Sequence, residues 1–199
     1  MKIREVHFLT SCPRASLFPD HGLPEFAFLG RSNVGKSSLI NMLMNRHDLV
    51  KTGAKPGVTR AVNFFILNDS ISLADLPGYG YAKVPVEMKK AFLPLIKTYI
   101  EKRKNIRLVF LLLDIRRTPD DREREILSLI TRRRIPVTLA VTKCDKIPPG
   151  RRRAMLRAIA ESLGVDDTAL FITSALKGTG RRELLGLIRD FAAEERNAP

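Results

Sequence analysis

The sequence lacks the features that mark membrane-spanning, secreted and zinc-binding proteins. It has no tryptophan, two cysteines and three histidines in 199 residues. Its longest apolar run, Leu108 to Leu113, is far shorter than the roughly 18 residues that cross a bilayer, and its first residues lack the apolar core of a signal peptide. Cys12 and Cys144 belong to no Cys-x-x-Cys pair or Cys/His cluster with metal-ligand spacing. We therefore expect a cytoplasmic protein, not inserted in a membrane, in which both cysteines are reduced thiols.

Acidic residues are also scarce relative to basic ones. The chain has 21 Asp and Glu against 35 Lys and Arg, which gives a formal net charge of +14. The excess forms no basic tail, and local clusters such as Arg132 to Arg134 and Arg151 to Arg153 lie in segments that otherwise indicate folded structure. Any one cluster is explained by a solvated helix face. An excess of this size over the whole chain favours a nucleic-acid partner.

Apolar runs bounded by Gly, Pro or Asp alternate with segments whose apolar residues recur every three or four positions, which indicates an α/β fold. The predicted strands are Phe26 to Leu29, Val62 to Leu67, Ile71 to Ala74, Leu108 to Leu113, Val137 to Val141 and Ala169 to Ile172. The predicted helices are Lys36 to Asn45, Val86 to Arg103, Asp120 to Arg132, Arg151 to Leu163 and Arg181 to Glu194, with Pro94 expected to kink or split the second. Several strands are apolar throughout, as in a parallel sheet covered on both faces. We expect a three-layer domain over residues 23–199, with a mostly parallel six-stranded sheet, after an irregular lead-in over residues 1–22.

A phosphate-loop pattern lies between the first predicted strand and the first predicted helix. It comprises Gly30, Arg31, Ser32, Asn33, Val34, Gly35, Lys36 and Ser37, followed by Ser38. Glycines let successive amides turn toward the α- and β-phosphates, and the amino end of the helix adds positive potential. Lys36 would place a charge at the β- and γ-phosphates, and Ser37 would offer a hydroxyl to Mg²⁺. A chance glycine-rich turn is the alternative, and the strand-to-helix context argues against it.

A second pattern concerns the nucleotide base. Thr142, Lys143, Cys144 and Asp145 follow a predicted strand and resemble the Asn/Thr-Lys-x-Asp guanine motif. A carboxylate accepts hydrogen bonds from N1 and the 2-amino group of guanine, which adenine cannot offer, and a mispaired buried charge costs several kcal/mol. The Lys143 stem would cover the base plane. In the later segment Thr173, Ser174, Ala175 and Leu176, the Ala175 amide would meet guanine O6. An isolated Thr-Lys-x-Asp is more often a solvated turn. The assignment to guanine therefore depends on the position of this motif, after the phosphate loop and before Ser174 and Ala175.

Two further segments are suited to the γ-phosphate. Asp75, Leu76, Pro77 and Gly78 end a predicted strand, so that Asp75 can bind Mg²⁺ through water and the Gly78 amide can reach the γ-phosphate; a simple turn would also give this pattern. Gly57, Val58 and Thr59 lie in a Gly/Pro-rich connection, where Thr59 would close over magnesium only while the γ-phosphate is present. We expect Lys36, Thr59 and Gly78 to act in catalysis, and Ser37, Thr59 and Asp75 to hold the metal.

All these groups follow predicted strands or connect them. A parallel sheet brings the phosphate loop, Asp75, Asp145 and Ala175 to its carboxyl edge, where α/β proteins bind ligands. This joint placement, rather than any single motif, predicts a protein that binds GTP with magnesium and hydrolyses it.

With these residues assigned, the sequence closely resembles the EngB family of bacterial GTPases, also called YihA or YsxC. The likeness covers nearly the whole chain and is carried by Gly30 to Asn41, Lys55 to Thr59 and Asp75 to Lys83, the last being the most specific. The resemblance implies a role in assembling the large ribosomal subunit, with ribosomal RNA or the subunit precursor as partner, and a need for the protein in cell division and septation. We also expect a monomer. The departures from the family pattern, at Val58, Leu176 and Pro94, touch neither phosphate nor magnesium.

Tyr79 stands where Ras-type switches place a water-orienting glutamine after Asp-x-x-Gly. A phenol cannot orient water as an amide does, so we expect slow intrinsic turnover, with the water-positioning group supplied from elsewhere or by a partner. Packing is an equally good explanation of Tyr79. Asn33 lies where potassium-activated relatives place a cation ligand, so K⁺ is a second candidate cofactor. Asp114 and Arg116 resemble a family signature, but they also fit a strand end and are assigned no chemistry.

Two alternatives stay open at this point. An ATP-using kinase could share the phosphate loop, although 199 residues leave little room for a lid and a substrate domain, and Asp145 favours guanine. A non-hydrolysing RNA-binding module could use nucleotide for stability alone, because no single residue in the sequence specifies hydrolysis.

Overall fold

One mixed sheet of seven strands organises the chain. The computed structural model describes residues 1–50, 61–80 and 86–194, and for residues 86–92 it describes the backbone alone. The strands are β1 Val6–Cys12, β2 Glu25–Gly30, β3 Val62–Leu67, β4 Ile71–Asp75, β5 Ile106–Asp114, β6 Val137–Thr142 and β7 Leu170–Ile172. The helices are α1 Lys36–Met44, α2 Val86–Lys102, α3 Asp121–Arg132, α4 Pro149–Leu163 and α5 Arg181–Ala193. The elements confirm the predicted α/β fold, with most bounds within two residues of the prediction.

The strand order is β1-β3-β4-β2-β5-β6-β7. From β4 onward all neighbours are parallel, whereas β1 and β3 pair antiparallel, as do β3 and β4. Side chains of β5 alternate between two cores: Val109 and Leu111 face α2, α3 and α4, while Leu108 and Phe110 face α1 and α5. Because both faces are covered, the parallel strands are mostly apolar. No helix in the described ranges is both long and apolar enough to span a membrane.

The prediction of an irregular lead-in and a six-stranded sheet was wrong. Val6–Cys12 forms β1, which pairs along β3 with a register shift between Phe8 and Thr10. An edge strand gains one ladder of hydrogen bonds and buries few side chains, and in β1 only Cys12 is fully buried. Its apolar pattern is therefore weak, and Pro13 and Pro19, which follow the strand, indicate irregular structure in this part of the sequence.

Helix α2 runs unbroken past Pro94, so the expected split does not occur. The Pro94 side chain is exposed, while Leu95, Ile96 and Tyr99 on the following turns are buried in the core below. Pro94 has no N–H and so removes one backbone hydrogen bond from the helix. Packing of the buried apolar face stabilises α2 despite this loss.

A buried ionic network closes the amino end of β2, opposite the nucleotide-binding edge. Glu25 is fully buried and accepts hydrogen bonds from Ser72 Oγ (2.8 Å), Tyr99 Oη (2.7 Å) and Arg103 Nε (2.7 Å), with His21 Nε2 at 3.2 Å. Burial alone would raise the pKa of Glu25, but the hydrogen bonds from His21 and Arg103 and the Arg103 charge lower it to about 2. The carboxylate therefore remains ionised inside the fold.

Candidate guanine-nucleotide site

The phosphate loop leaves β2 and opens α1, as the sequence predicted. Gly35 caps α1 with φ at +105°, a left-handed conformation that disfavours side chains with a Cβ. The Ser32 amide donates to Tyr79 O (2.8 Å), and the Ser32 hydroxyl donates to Gly78 O (3.0 Å). The loop is thus fixed to the segment that follows β4, which brings Gly78 beside the phosphate-binding amides.

Lys36 and Asp75 form an ion pair at the centre of this edge. The Lys36 ammonium donates to Asp75 Oδ1, and the two side chains are 8% and 0% exposed. Asn63 Nδ2 lies 3.4 Å from the other carboxylate oxygen. The pair places the predicted phosphate-binding cation against the predicted metal-binding carboxylate, and Ser37 follows on the first turn of α1. Both charges lie in low-dielectric surroundings, where their electrostatic attraction is stronger than in water. The attraction fixes the positions of both side chains.

The base-reading residues gather as predicted. Lys143, at the turn after β6, adopts φ of +62° and donates from Nζ to Asn33 O at 2.5 Å. Ser174 Oγ donates to Asp145 Oδ1 at 2.6 Å, and this bond is the main reason why the pKa of Asp145 is lowered. The Lys177 amide in turn donates to Ser174 Oγ at 3.1 Å. Ser174 therefore orients the carboxylate that would read guanine.

A cavity of about 660 Å³ connects these groups. Its walls include Gly35 and Ser38 from the phosphate loop and the start of α1, and Lys143 and Asp145 from the turn after β6. Leu176 is 72% exposed and lines the rim, while Thr173, which follows β7, is buried in the wall. The volume lies in the range of small-molecule sites, and the cavity leads from the base-reading residues to the phosphate loop.

Asp114 and Arg116 were missed by the sequence reasoning, which gave them no chemistry. Asp114 ends β5, and its Oδ2 accepts from Lys143 Nζ at 2.9 Å and from the Arg116 guanidinium at 2.7 Å. Burial opposes its ionisation, but the hydrogen bonds from Arg116 and Lys143 lower the pKa of Asp114 to about 2. The sequence holds no signal for this contact, because it depends on β5 and β6 lying side by side with Asp114 paired to Thr142.

Arg31 joins the phosphate loop to α3. Its guanidinium donates to Asp120 Oδ2 at 2.5 Å and lies 3.7 Å from Glu123. Asp120 also caps α3 in a capping box with Glu123, so one carboxylate serves both the helix and the loop. Burial raises the pKa of Glu123, and the nearby Asp120 raises it further. The phosphate loop is therefore coupled to the amino end of α3.

Tyr79 is a packing residue, which is one of the two roles considered for it. Its side chain is 2% exposed and belongs to the core beneath α2 and α3. Its hydroxyl has no hydrogen-bond partner within the described residues, and burial raises its pKa well above the usual value. The phenol therefore offers no group that could orient a water molecule at the γ-phosphate.

The predicted contacts of Gly57, Val58 and Thr59 lie outside the described residues. The roles assigned to Thr59 in catalysis and metal binding thus stay predictions. The other predicted groups, from the phosphate loop, the Asp75 to Gly78 segment, the turn after β6 and the segment after β7, all lie at the carboxyl edge of the sheet.

A phosphate loop, a buried carboxylate at the end of β4 and a carboxylate after β6 that is predicted to read the base are together typical of the class of P-loop GTPases. The family model described as "50S ribosome-binding GTPase" matches residues 25–143. The probable GTP-binding protein EngB of Syntrophotalea carbinolica is 46% identical over 93% of this chain and 89% of the relative. That of Geotalea daltonii is 48% identical over 91% of this chain and 87% of the relative.

Solved structures agree with these relatives. A crystal structure of a probable GTP-binding protein EngB superposes with a TM-score of 0.71 at 27% identity, covering 86% of this chain and all of the other. Era of Aquifex aeolicus bound to GDP and AlF4⁻ gives a TM-score of 0.65 at 26% identity, covering 88% of this chain and 59% of Era. The chain belongs to the EngB family of GTP-binding proteins, and it is a GTPase.

Proposed function

We propose that this GTPase is a magnesium-dependent switch that assists assembly of the large ribosomal subunit in the cytoplasm, and that it is needed for normal cell division and septation. The observation that supports the switch is the meeting of the phosphate loop, Asp75 and Asp145 at one edge of the sheet. The ribosomal partner is supported by the description of the family model that matches residues 25–143. A net charge of +14 suits an RNA-rich particle.

The residues divide the work between base and phosphates. Asp145, oriented by Ser174, accepts from the guanine edge, and Lys143 covers the base plane. Lys36 and the loop amides hold the β- and γ-phosphates. Water attacks the γ-phosphorus, the bond to the β–γ bridging oxygen breaks, and the charge that develops on that oxygen is stabilised by Lys36.

Ser37 and Asp75 fit a magnesium ion as hard oxygen donors that leave most of its octahedral shell to water and phosphate. Asp75 is fully buried beside Lys36, so the metal and the lysine would share the charge of one carboxylate. Magnesium, when bound, adds positive charge at the β- and γ-phosphate oxygens. Because Tyr79 is buried in the core, the group that orders the attacking water comes from another part of the protein or from its partner.

The test compares GTP turnover of the purified protein alone, with large ribosomal subunits and with small ribosomal subunits at equal concentration. We expect turnover well below about one per second for the protein alone and stimulation of about tenfold or more by large subunits only. Lys36→Ala is the control for contaminating activity. Equal stimulation by both subunits would refute the proposed partner, and fast turnover without any particle would refute the dependence on one.

A further inference from the structure

Basic side chains concentrate at the edge of the sheet opposite the nucleotide site. The chain enters β5 and β6 there. The two turns that lead into these strands, together with the helix and strand ends that flank them, carry Lys102, Lys104, Arg107, Arg132, Arg133 and Arg134. We call these six residues the amino-edge basic surface. Residues 102–107 and 131–136 contain no acidic side chain.

Backbone contacts fix the two turns side by side. Strands β5 and β6 are parallel neighbours, and Val109 N donates to Pro136 O at 2.9 Å where β6 begins. Arg133 reaches across to Glu101, at the end of α2, and donates to its carbonyl at 3.0 Å. The six cations therefore belong to one continuous surface, although residues 108–130 separate the two turns in the sequence.

Three of these six charges are exposed and available to a partner. Lys102, Arg132 and Arg134 are exposed, and no side-chain hydrogen bond or ion pair joins them to another residue in the described part of the chain. Arg107 is half-buried, and its Nε lacks a partner within the same residues. By contrast Arg103, in the same turn, is fully engaged by Glu25 and Pro19 and is not counted in the surface.

Helix dipoles do not account for this cluster. Cations are stabilised at helix carboxyl ends, and both α2 and α3 end here with Lys102 and Arg132 in their last turns. That effect falls off within a turn and explains about one cation per helix. Six cations exceed this need, and their mutual repulsion costs stability unless a polyanion is bound. The acidic pair Asp166 and Asp167, which precedes β7, marks the limit of the surface beyond β6.

We propose that the amino-edge basic surface binds the phosphate backbone of double-helical RNA. This inference rests on the proposed ribosomal function and assigns a docking surface to it. Four of the six residues are arginines, whose planar guanidinium groups pair with phosphate in two-bond geometry. The large exposed apolar side chains of the described residues, Phe8, Leu9, Leu17 and Leu176, all lie elsewhere.

The six residues of the amino-edge basic surface include no apolar or aromatic side chain, and this indicates which kind of partner the surface binds. A protein interface has an apolar or aromatic centre, and single-stranded RNA is held largely by stacking of bases on aromatic rings. The amino-edge basic surface has neither feature, so it suits a ligand recognised through phosphates alone, which is how proteins recognise the shape of an RNA duplex.

The location separates RNA docking from nucleotide binding. Strand β5 spans nine residues, so the surface lies about 30 Å from the carboxyl edge at ~3.3 Å per residue. An RNA double helix bound to this surface would not cover the cavity at the predicted guanine site. We therefore expect the affinity contributed by this surface to be the same with GDP and with a non-hydrolysable GTP analogue.

Two triple variants with equal charge change test the assignment. Lys102→Gln/Arg132→Gln/Arg134→Gln removes three exposed cations from the surface and spares Arg133. Arg151→Gln/Arg153→Gln/Arg157→Gln removes three exposed cations from α4, near the nucleotide edge. Binding of a fluorescein-labelled 20-base-pair RNA duplex to the full chain with GDP is followed by anisotropy across a range of salt concentrations. Thermal unfolding and GDP affinity, unchanged in both variants, show that the fold is intact.

We expect the first variant to bind the RNA duplex about tenfold or more weakly than the wild-type protein. The slope of log K against log salt concentration should fall in magnitude by about 2 to 3, roughly one unit per lost phosphate contact. The affinity of the α4 variant for the duplex should change by less than about threefold. Equal losses in both variants, or none in the first, would overturn the assignment while leaving the ribosomal function intact. Failure of the wild-type protein to bind the duplex at low salt would overturn the RNA partner itself. If poly-glutamate displaced the labelled duplex as effectively as unlabelled duplex does, the surface would be a general polyanion-binding surface and not an RNA-binding one.

Discussion

The ammonium group of Lys143 lies 2.9 Å from the Asp114 carboxylate, although the two residues are 29 positions apart in the sequence. They meet because β5 and β6 are parallel neighbours whose carboxyl ends coincide, with Asp114 paired to Thr142. The same ammonium group donates to Asn33 O in the phosphate loop. One lysine thus links the end of β5, the guanine turn and the phosphate loop, and Asp114 positions it.

Asp114→Asn should weaken nucleotide binding without changing base preference. The amide keeps the shape of the carboxylate but loses its charge, so Lys143 gives up a charge-assisted hydrogen bond worth about 1.5 kcal/mol. We expect fluorescent GDP to dissociate about tenfold faster in stopped-flow experiments. Asp121→Asn, which removes an exposed carboxylate from α3, is the matched control. Equal dissociation rates in the two variants would rule out a positioning role for Asp114.

Asp145→Asn should change which base is preferred. In the proposed site its carboxylate would accept from N1 and the 2-amino group of guanine, whereas an amide can donate to the O2 of xanthine. We expect GDP affinity to fall by about a hundredfold or more and xanthosine diphosphate to become the tighter ligand in equilibrium titrations. Unaltered GDP preference, or tight ATP binding by the wild-type protein, would contradict the assignment of Asp145 to the base.

Potassium should accelerate hydrolysis through Asn33. This residue has a φ of +63° at the exposed side of the phosphate loop, where its amide oxygen can coordinate a monovalent cation. We expect faster GTP turnover in KCl than in NaCl at equal ionic strength. The Asn33→Gly variant accepts the left-handed backbone and lacks the amide, so its rates in the two salts should be equal. Equal rates in the wild-type protein would remove potassium from the mechanism.

The buried network at Glu25 should make the fold sensitive to acid. Its pKa falls from an ordinary value of 4.5 to about 2, so its stabilising effect is complete above pH 4.5 and is lost as the pH falls toward 2. That shift corresponds to about 3 kcal/mol of unfolding free energy. Urea unfolding at several pH values should show a shallower acid decline in Glu25→Gln than in the wild-type protein. Glu101→Gln, at an exposed site, should keep the full decline; identical declines in all three proteins would contradict the network's role.

Features encoded locally could be predicted from the sequence. The phosphate loop and the turn containing Asp145 follow apolar strands and have fixed spacing, so their position at the sheet edge follows from the order of residues alone. Contacts that depend on strand order could not be predicted in this way: the Asp114–Lys143 pair requires β5 beside β6, and the partners of Glu25 come from three separate segments. The edge strand β1 was missed because a strand with one buried face and one neighbour leaves a weak apolar pattern.

The burial of Tyr79 also limits how the switch can move. Removing an aromatic side chain from a packed core costs about 3 to 5 kcal/mol, so Tyr79 holds in place the chain immediately after Gly78, the residue proposed to contact the γ-phosphate. Gly80, next in sequence, adopts a left-handed φ of +77°, which favours glycine at this position. The burial of Tyr79 therefore ties the segment that contains Gly78 to the core. In the proposed switch this segment would keep its position from one round of nucleotide binding to the next.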